Sequence, residues 1–433
     1  MRKNKIDIIS LGCSKNLVDS EHLLRQLQAA GYKVAHNAER IDGETVVVNT
    51  CGFIADAQQE SIDTILKLGE AKRQGKIRNL IVMGCLAERF RADLIEALPE
   101  VDRFYGKFDW KGMLHDLGHA YRADLANERT LTTPPHYCYL KISEGCNRFC
   151  AFCAIPLITG RHTSVPMPLL LDEVKRLAQD GVKEFNVIAQ DLSSYGMDLE
   201  GRMMLPELID RMADIEGVEW IRLHYAYPAQ FPLDILPVMA RRDNVCSYLD
   251  IALQHISDKV LTNMRRHISR QETLDLLARL RREVPGIHIR TTLMVGFPGE
   301  GEQEFEELMD FVREARFERM GAFAYSEENG TWAAQNLTDD IPQEVKQERL
   351  QRLMALQEDI SLDIQEQKVG QTLRVIVDRE EDEHYIGRTQ WDSPEVDPEV
   401  LIKKDKPLTI GEFAQVRITQ ALPFELIGEA DIN

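Results

Sequence analysis

The chain has 433 residues, which on the usual length prior is room for two to four domains. Hydrophobic residues at 44% and charged residues at 28% exclude a disordered or fibrous chain and fit a soluble globular protein with proper cores. Basic residues number 52 against 71 acidic, a net of −19; alone this is a solubility feature, but it would repel phosphate backbones and attract a cationic partner.

The opening stretch MRKNKIDIISLG is basic for five residues and then strand-like, without the apolar region and cleavage site of a signal peptide. No apolar run approaches a membrane span, so a cytoplasmic, membrane-free protein is expected. In that reducing compartment the 8 cysteines favour metal or catalytic roles over disulfides.

Strand and helix alternate through the first segment. Ile6–Leu11 reads as a strand followed by Gly12-Cys13, and a helix from about Val18 buries Leu23, Leu24, Leu27 and Ala30 before Gly31. Thr45–Asn49 is the second strand, followed by Thr50-Cys51-Gly52. The next helix, about Ala55–Gln74, turns Ile62, Ile65, Leu66 and Leu68 to the sheet. Leu80–Met83 is the third strand, followed by Gly84-Cys85. Cys13, Cys51 and Cys85 thus stand 38 and 34 residues apart, each just past a strand. Parallel strands end on one edge, so all three thiols reach one rim. Neighbouring strands lie about 5 Å apart, close enough for their loops to share an iron–sulfur cubane. Singly, each is a buried core thiol; the threefold placement points to a shared centre. A helix ending near Pro99, a strand at Val101–Tyr105 and a charged stretch to Leu125 close the segment. Thr132-Thr133-Pro134-Pro135 reads as a linker.

From His136 the chain repeats a βα unit, with strands at Cys138–Ile142, Glu184–Ala189, Trp220–Tyr225, Tyr248–Leu253, His288–Val295 and Met320–Tyr325. Helices start near Pro168, Pro206, Pro232, Gln271 and Gln303, which together predict a partial TIM-like barrel. After the first strand, KISEGCNRFCAFCAIPLITG places Cys146, Cys150 and Cys153 in the spacing C-x3-C-x2-C with Phe152 between the last two. Three thiolates can hold three irons of a cubane and leave the fourth open. A zinc knuckle would want a fourth ligand and paired C-x2-C hooks. Polar groups gather after the other strands: Gln190-Asp191, His224 and Tyr227, Gln254-His255, and Gly296 to Glu300. That is the ligand face of such a barrel, although each alone is equally a cap or a satisfied core group.

A helix from about Pro342 to Lys368, with Leu350, Leu353, Met354, Leu356, Ile360 and Ile364 as an apolar stripe, is expected to close the barrel and lead to the last domain. From Gln371, short runs at Leu373–Val377, Tyr385–Thr389, Glu412–Ile418 and Glu425–Ala430 predict a small antiparallel barrel of OB type. Its 7 basic residues face 14 acidic ones, including Glu380-Glu381-Asp382-Glu383, a balance that suits a positively charged protein better than RNA. Cys138 and Cys246, the latter just before a strand, are left as buried structural thiols. The fold class is therefore α/β multidomain: a parallel-sheet domain over residues 1–125, a partial (β/α)6 barrel over 132–367, and a β-barrel over 370–433.

The loop at 141–160 resembles the cluster loop of the radical S-adenosylmethionine (SAM) superfamily, in which the open iron chelates SAM. Over essentially the whole chain, NTCGFIADAQQESID, MGCLAERF, LKISEGCNRFCAFCAIP, VIAQDLSSYG and TTLMVGFPGE make the sequence similar to the methylthiotransferase family, its RimO branch above all. The resemblance implies two [4Fe–4S] clusters, on Cys13/Cys51/Cys85 and on Cys146/Cys150/Cys153, and a C-terminal TRAM domain. It also implies two molecules of SAM, a sulfur donor and a reductant such as a flavodoxin. One SAM would yield a 5′-deoxyadenosyl radical at the second cluster, and the first cluster would carry the sulfur. The implied substrate is an aspartate β-carbon of ribosomal protein S twelve, whose hydrogen no side-chain base removes. Phe152 would pack near adenine, and Gln190 and Asp191 would meet SAM's polar groups; which residues act catalytically on the substrate is left open. The sequence departs from many relatives at Ala252, where they carry proline, and in the arginine-poor GRHTS after the loop, which bears on substrate contacts. The sister branch, similar to MiaB, modifies isopentenyladenosine in tRNA; with an acidic terminal barrel, tRNA is not expected. An iron–sulfur electron-transfer protein is opposed by two sites of three cysteines, because relay clusters normally carry four.

Overall fold

The computed structural model describes residues 2–431; Met1, Ile432 and Asn433, at the outer ends of the first and last expected segments, lie outside them. The β-branched run Val46–Val48 is fully buried, which places its strand at the centre of a five-stranded parallel sheet. The strands are β1 (Arg2–Ser10), β2 (Lys33–His36), β3 (Gly43–Thr50), β4 (Asn79–Gly84) and β5 (Arg103–Phe104), in spatial order β2-β1-β3-β4-β5. Helices α1 (Ser14–Ala29), α2 (Ala55–Arg73) and α3 (Cys85–Ala97) follow β1, β3 and β4. The chain reverses its direction of travel across the sheet between β1 and β3, the switch point at which ligands bind in doubly wound folds.

Six further parallel strands form an open sheet in chain order: β6 (Tyr137–Lys141), β9 (Glu184–Ile188), β10 (Trp220–Ala226), β11 (Val245–Ile251), β12 (His288–Val295) and β13 (Arg319–Ala324). One set of alternating residues, including Phe185, Val187, Ile221, Leu223, Leu249 and Ile289, joins the apolar core under the outer helices. The other set is polar: Glu184 and Asn186, Arg222 and His224, Tyr248 and Asp250, all buried. A two-residue antiparallel ladder, β7 (Ser143–Glu144) with β8 (Thr163–Ser164), ties the base of the cysteine loop. The helix Gln343–Glu366 packs Leu353 and Ile360 into the barrel core and covers its last strand, as its stripe predicts.

The polar inner set meets the last domain, a closed barrel of β14 (Thr372–Glu381), β15 (His384–Thr389), β16 (Glu399–Lys403), β17 (Phe413–Leu422) and β18 (Glu425–Ala430). Arg388 is its anchor: the guanidinium donates to Glu184 at 2.7 and 3.0 Å and to Asp378 at 2.6 and 2.9 Å. Arg290 reaches Asp397 at 3.1 Å and Arg319 reaches Asp392 at 3.1 Å. Trp220 meets Phe413 edge-on at 4.8 Å, and His288 stacks on Trp391 at 4.6 Å. This barrel therefore plugs the end where the parallel strands begin, leaving the opposite rim to the cysteines.

Several local expectations are corrected. α1 starts at Ser14 rather than Val18, so Cys13 is its N-cap residue. Leu66 lies 49% exposed because Ile65 and Leu68 fill that side of α2. Cys246 lies within β11, not before it, and His224 lies within β10, where it faces Asn186 at 3.3 Å. β2 and β16 were not expected. The terminal barrel is antiparallel at four ladders, but β16 and β18 run parallel.

Candidate functional site

β1, β3 and β4 are adjacent and parallel, so Cys13, Cys51 and Cys85 leave the sheet on one edge. Their loops interlock through two glycines. Gly12 has a φ of +88°, and a Cβ there would lie 2.7 Å from the Cys51 Cβ; a Cβ on Gly52 would lie 2.6 Å from the Leu86 nitrogen. Burial pushes the Cys51 thiol up and the Cys85 thiol to about 12, and the neighbouring thiols add to both. Such thiols turn into ligands only when a metal supplies the compensating charge.

The second triad sits just past β6. Gly145, at φ +76°, lets the chain pass Arg161, whose carbonyl oxygen would lie 2.2 Å from any Cβ there. Arg148 fastens the loop by donating to Asp191 at 2.7 Å, and its backbone N–H lies 3.4 Å from the Cys146 sulfur. The Arg266 guanidinium lies 3.2 Å from the Cys150 sulfur, packed over Tyr227 at 4.2 Å. Burial pushes Cys146 to about 12 and raises Cys153 further.

A buried charge cluster joins the two rims. Lys107, placed by its backbone N–H donating to Glu88 of α3 at 2.9 Å, pairs with Asp19 of α1 at 3.1 Å and with Glu144 at 3.3 Å. Lys141 pairs with Asp19 and, at 2.8 Å, with Glu144. Glu144 stands two residues before Cys146, and the Lys107 charge also acts on Cys51 and Cys85. On another side, Arg89 of α3 donates to Gly52 at 3.0 Å, Glu328 at 2.8 Å and Asn329 at 2.6 Å. The first sheet is thereby seated on the ligand face of the second, with both triads at the seam. Glu144, Lys107, Arg148, Arg266 and the Arg89–Glu328 pair were missed by the sequence reading; only Glu144 carried a signal, in its place beside Gly145-Cys146.

Gln190 donates to Glu144 and leaves its Oε1 buried without a partner. Asp191 is 1% exposed and engaged by Arg148 and by the Ser193 N–H at 3.0 Å. Phe152 packs edge-on to Phe297 at 6.1 Å. His255 and Glu300 bond each other at 3.1 Å, and Glu300 also accepts from Arg349 at 2.8 Å, so these two brace the loops. Cys138 and Cys246 are fully buried in strands, as expected of structural thiols.

Each donor set is three cysteine thiols on neighbouring loops, the ligand type of an iron–sulfur cubane. Among the described residues no three His, Cys, Asp or Glu side chains gather around a point where one metal ion would sit. A cubane instead takes each thiolate on a different iron and accepts a wider triad. The orphaned Gln190 oxygen adds an unfilled polar contact at the second site.

Residues 5–106 match the model described as uncharacterized protein family UPF0004, residues 140–312 the radical SAM superfamily, and residues 369–430 the TRAM domain. A protein of Parabacteroides distasonis named ribosomal protein uS12 methylthiotransferase RimO is 64% identical over 99% of both chains. One of the same name from Flavobacterium psychrophilum is 50% identical over 99% of this chain and 98% of its own. Among solved structures, the radical SAM methyltransferase TsrM of Kitasatospora setae aligns with a TM-score of 0.53 at 15% identity, over 74% of this chain and 72% of its own. The cobalamin-dependent radical enzyme OxsB aligns at 0.52 and 12%, over 80% and 56%. These two share the fold alone.

Proposed function

The chain belongs to the family of ribosomal protein uS12 methylthiotransferases named RimO, a radical SAM transferase family, and we propose that it inserts a methylthio group at the β-carbon of an aspartate in that basic ribosomal protein. The observation that carries the proposal is the pair of three-cysteine rims meeting across one charged seam. The family's radical chemistry uses a [4Fe–4S] cluster and SAM. Our reading extends this to two clusters, held by Cys13, Cys51 and Cys85 and by Cys146, Cys150 and Cys153.

The bound cofactors supply one-electron cleavage of SAM, chemistry that no side chain can perform. The protein supplies position. Arg148 and Asp191 fix the second loop, Arg266 offsets the thiolate charge at Cys150, and Lys107, Lys141, Asp19 and Glu144 hold the two rims in register. Holding reacting groups at one distance removes the entropy cost of their encounter. Phe152, Gln190 and Asp191 are proposed to bind SAM, the first two by direct contact. Gln190 offers a free acceptor, whereas Asp191 acts on SAM through the loop that Arg148 fastens. Unchanged SAM affinity in Gln190→Ala and Asp191→Ala would reject these roles.

We read the working units as residues 1–125, 132–367 and 370–433, acting in the cytoplasm with a flavodoxin-type reductant and a separate sulfur donor. No helix among the described residues is long and apolar enough to cross a membrane. The test is anaerobic reconstitution, iron counting, and mass spectrometry of uS12 after incubation with SAM and reductant. A gain of one methylthio group on an aspartate is expected. No gain there, with a gain on tRNA, would move the chain's chemistry to the sister substrate.

A further inference from the structure

Lys15 is the second residue of α1, two positions past Cys13, and is only 8% exposed. Its ammonium lies 3.2 Å above the ring of Tyr225 at the end of β10, inside the seam between the two sheets. Among the described residues it forms no ion pair and no hydrogen bond. Its cationic neighbours differ. Lys107 and Lys141 are paired with Asp19 and Glu144, Arg148 with Asp191, and Arg290 with Asp397. An ammonium carries three donors, and burying one without an anion is costly. The aromatic face compensates part of that cost but leaves donors directed at the space beyond.

Tyr225 is itself held unusually. Its φ of +63° is left-handed, and its N–H donates to Asp250 at 3.2 Å. Non-glycine residues in that region gather at ligand sites, where the surroundings enforce the strain. Asp250 is near enough for Lys15 to act on its charge, yet it faces Tyr225 and Arg290 and forms no ion pair with Lys15. An anion entering the seam would therefore find a buried cation, held over the Tyr225 ring and without an ion pair of its own.

We infer that Lys15 receives the side-chain carboxylate of the aspartate to be modified, and so selects aspartate over asparagine. This rests on the aspartate substrate proposed above. The reacting β-carbon is bonded directly to that carboxylate, so anchoring the carboxylate beside Cys13 sets the β-carbon against the first rim.

The test compares a uS12-derived peptide bearing the aspartate with the same peptide bearing asparagine, by fluorescence anisotropy on reconstituted wild type, Lys15→Met and Lys15→Arg. Charge-assisted hydrogen bonds are worth about 1.5–3 kcal/mol, so Lys15→Met should bind the aspartate peptide about 10–100-fold more weakly. It should bind the asparagine peptide as wild type does, and Lys15→Arg should recover part of the discrimination. Iron content and circular dichroism check integrity; if Lys15→Met holds less iron, the same contrast must appear between the metal-free forms. Equal aspartate affinity in wild type and Lys15→Met overturns the inference while uS12 methylthiolation by wild type stands. Wild type that neither binds nor modifies the aspartate peptide overturns the substrate reading, and the inference with it.

Discussion

Arg388→Met removes a guanidinium whose side chain is 1% exposed and which holds both oxygens of Glu184 across the contact between the terminal barrel and the parallel sheet, and both of Asp378 within the barrel. Breaking a buried pair from one side costs about 3–5 kcal/mol, because a charge is left without compensation. Here the lower end applies. Glu184 keeps Arg222 at 3.1 Å, and Asp378 keeps His136 at 2.8 Å. A loss of about 3 kcal/mol is roughly a hundredfold in the docking equilibrium. Urea unfolding followed by tryptophan emission is a direct assay, since Trp220 and Trp391 stand in the contact. Glu184→Gln alone should cost less, and Glu184→Gln combined with Arg388→Met should lose less than the sum of the two single losses. Additive losses, or an unchanged midpoint in Arg388→Met, would refute the claim that the barrel is locked by buried charge.

Gly12→Ala adds a methyl 2.7 Å from the Cys51 Cβ at a φ of +88°, so it should abolish iron uptake at the first rim while leaving that of the second, as iron counting will show. Cys51→Ala should lower reconstituted iron by about half, and an unchanged count would remove Cys51 from the ligand set. Burial favours the neutral forms of Asp378 and Asp392, but Arg388 on the first and Arg319 on the second prevail and hold each at about 2. Their contribution to stability is complete above the unfolded carboxylate range and fades as pH falls from there towards 2, so acid midpoints should shift upward in Asp392→Asn. Burial, with Arg319 nearby, lowers Lys368 to about 8. The unfolded chain then binds more protons between that value and the ordinary lysine range. Stability should rise with pH across that window, and Lys368→Met should flatten the rise in thermal melts.

The first sheet was legible because its buried strands read as apolar runs; Cys13, Cys51 and Cys85 were legible because each stands beside a glycine at a strand end, and Cys146, Cys150 and Cys153 by their C-x3-C-x2-C spacing. β2, with the sequence KVAH, and β16, EVLIK, are too short and mixed to announce themselves, and their pairing is decided by neighbours far along the chain. The start of α1 was missed because Ser14, Lys15 and Asn16 lack apolar spacing; Lys15 is buried instead against Tyr225 of the second sheet, and Asn16 by hydrogen bonds to Leu11 and Asn49 of the first. His224 was grouped with the polar residues past the strand ends although the expected strand Trp220–Tyr225 contains it; it is one of the buried polar side chains on the inner wall of this sheet. The seam residues were hidden for a simpler reason. Lys107 and Glu144 are ordinary charges until two domains close over them, and Arg89 finds Glu328 across 239 residues of chain.

The stopper at the base of the sheet fixes more than stability. A tethered module would let the enzyme grope for a partner over a range of separations; one riveted by Arg388, Arg319 and Arg290 offers a single span between its own surface and the cysteine rim. A client that touched both would have to carry its two features at that one spacing, and the molecule would then act on it as a fixed gauge of length.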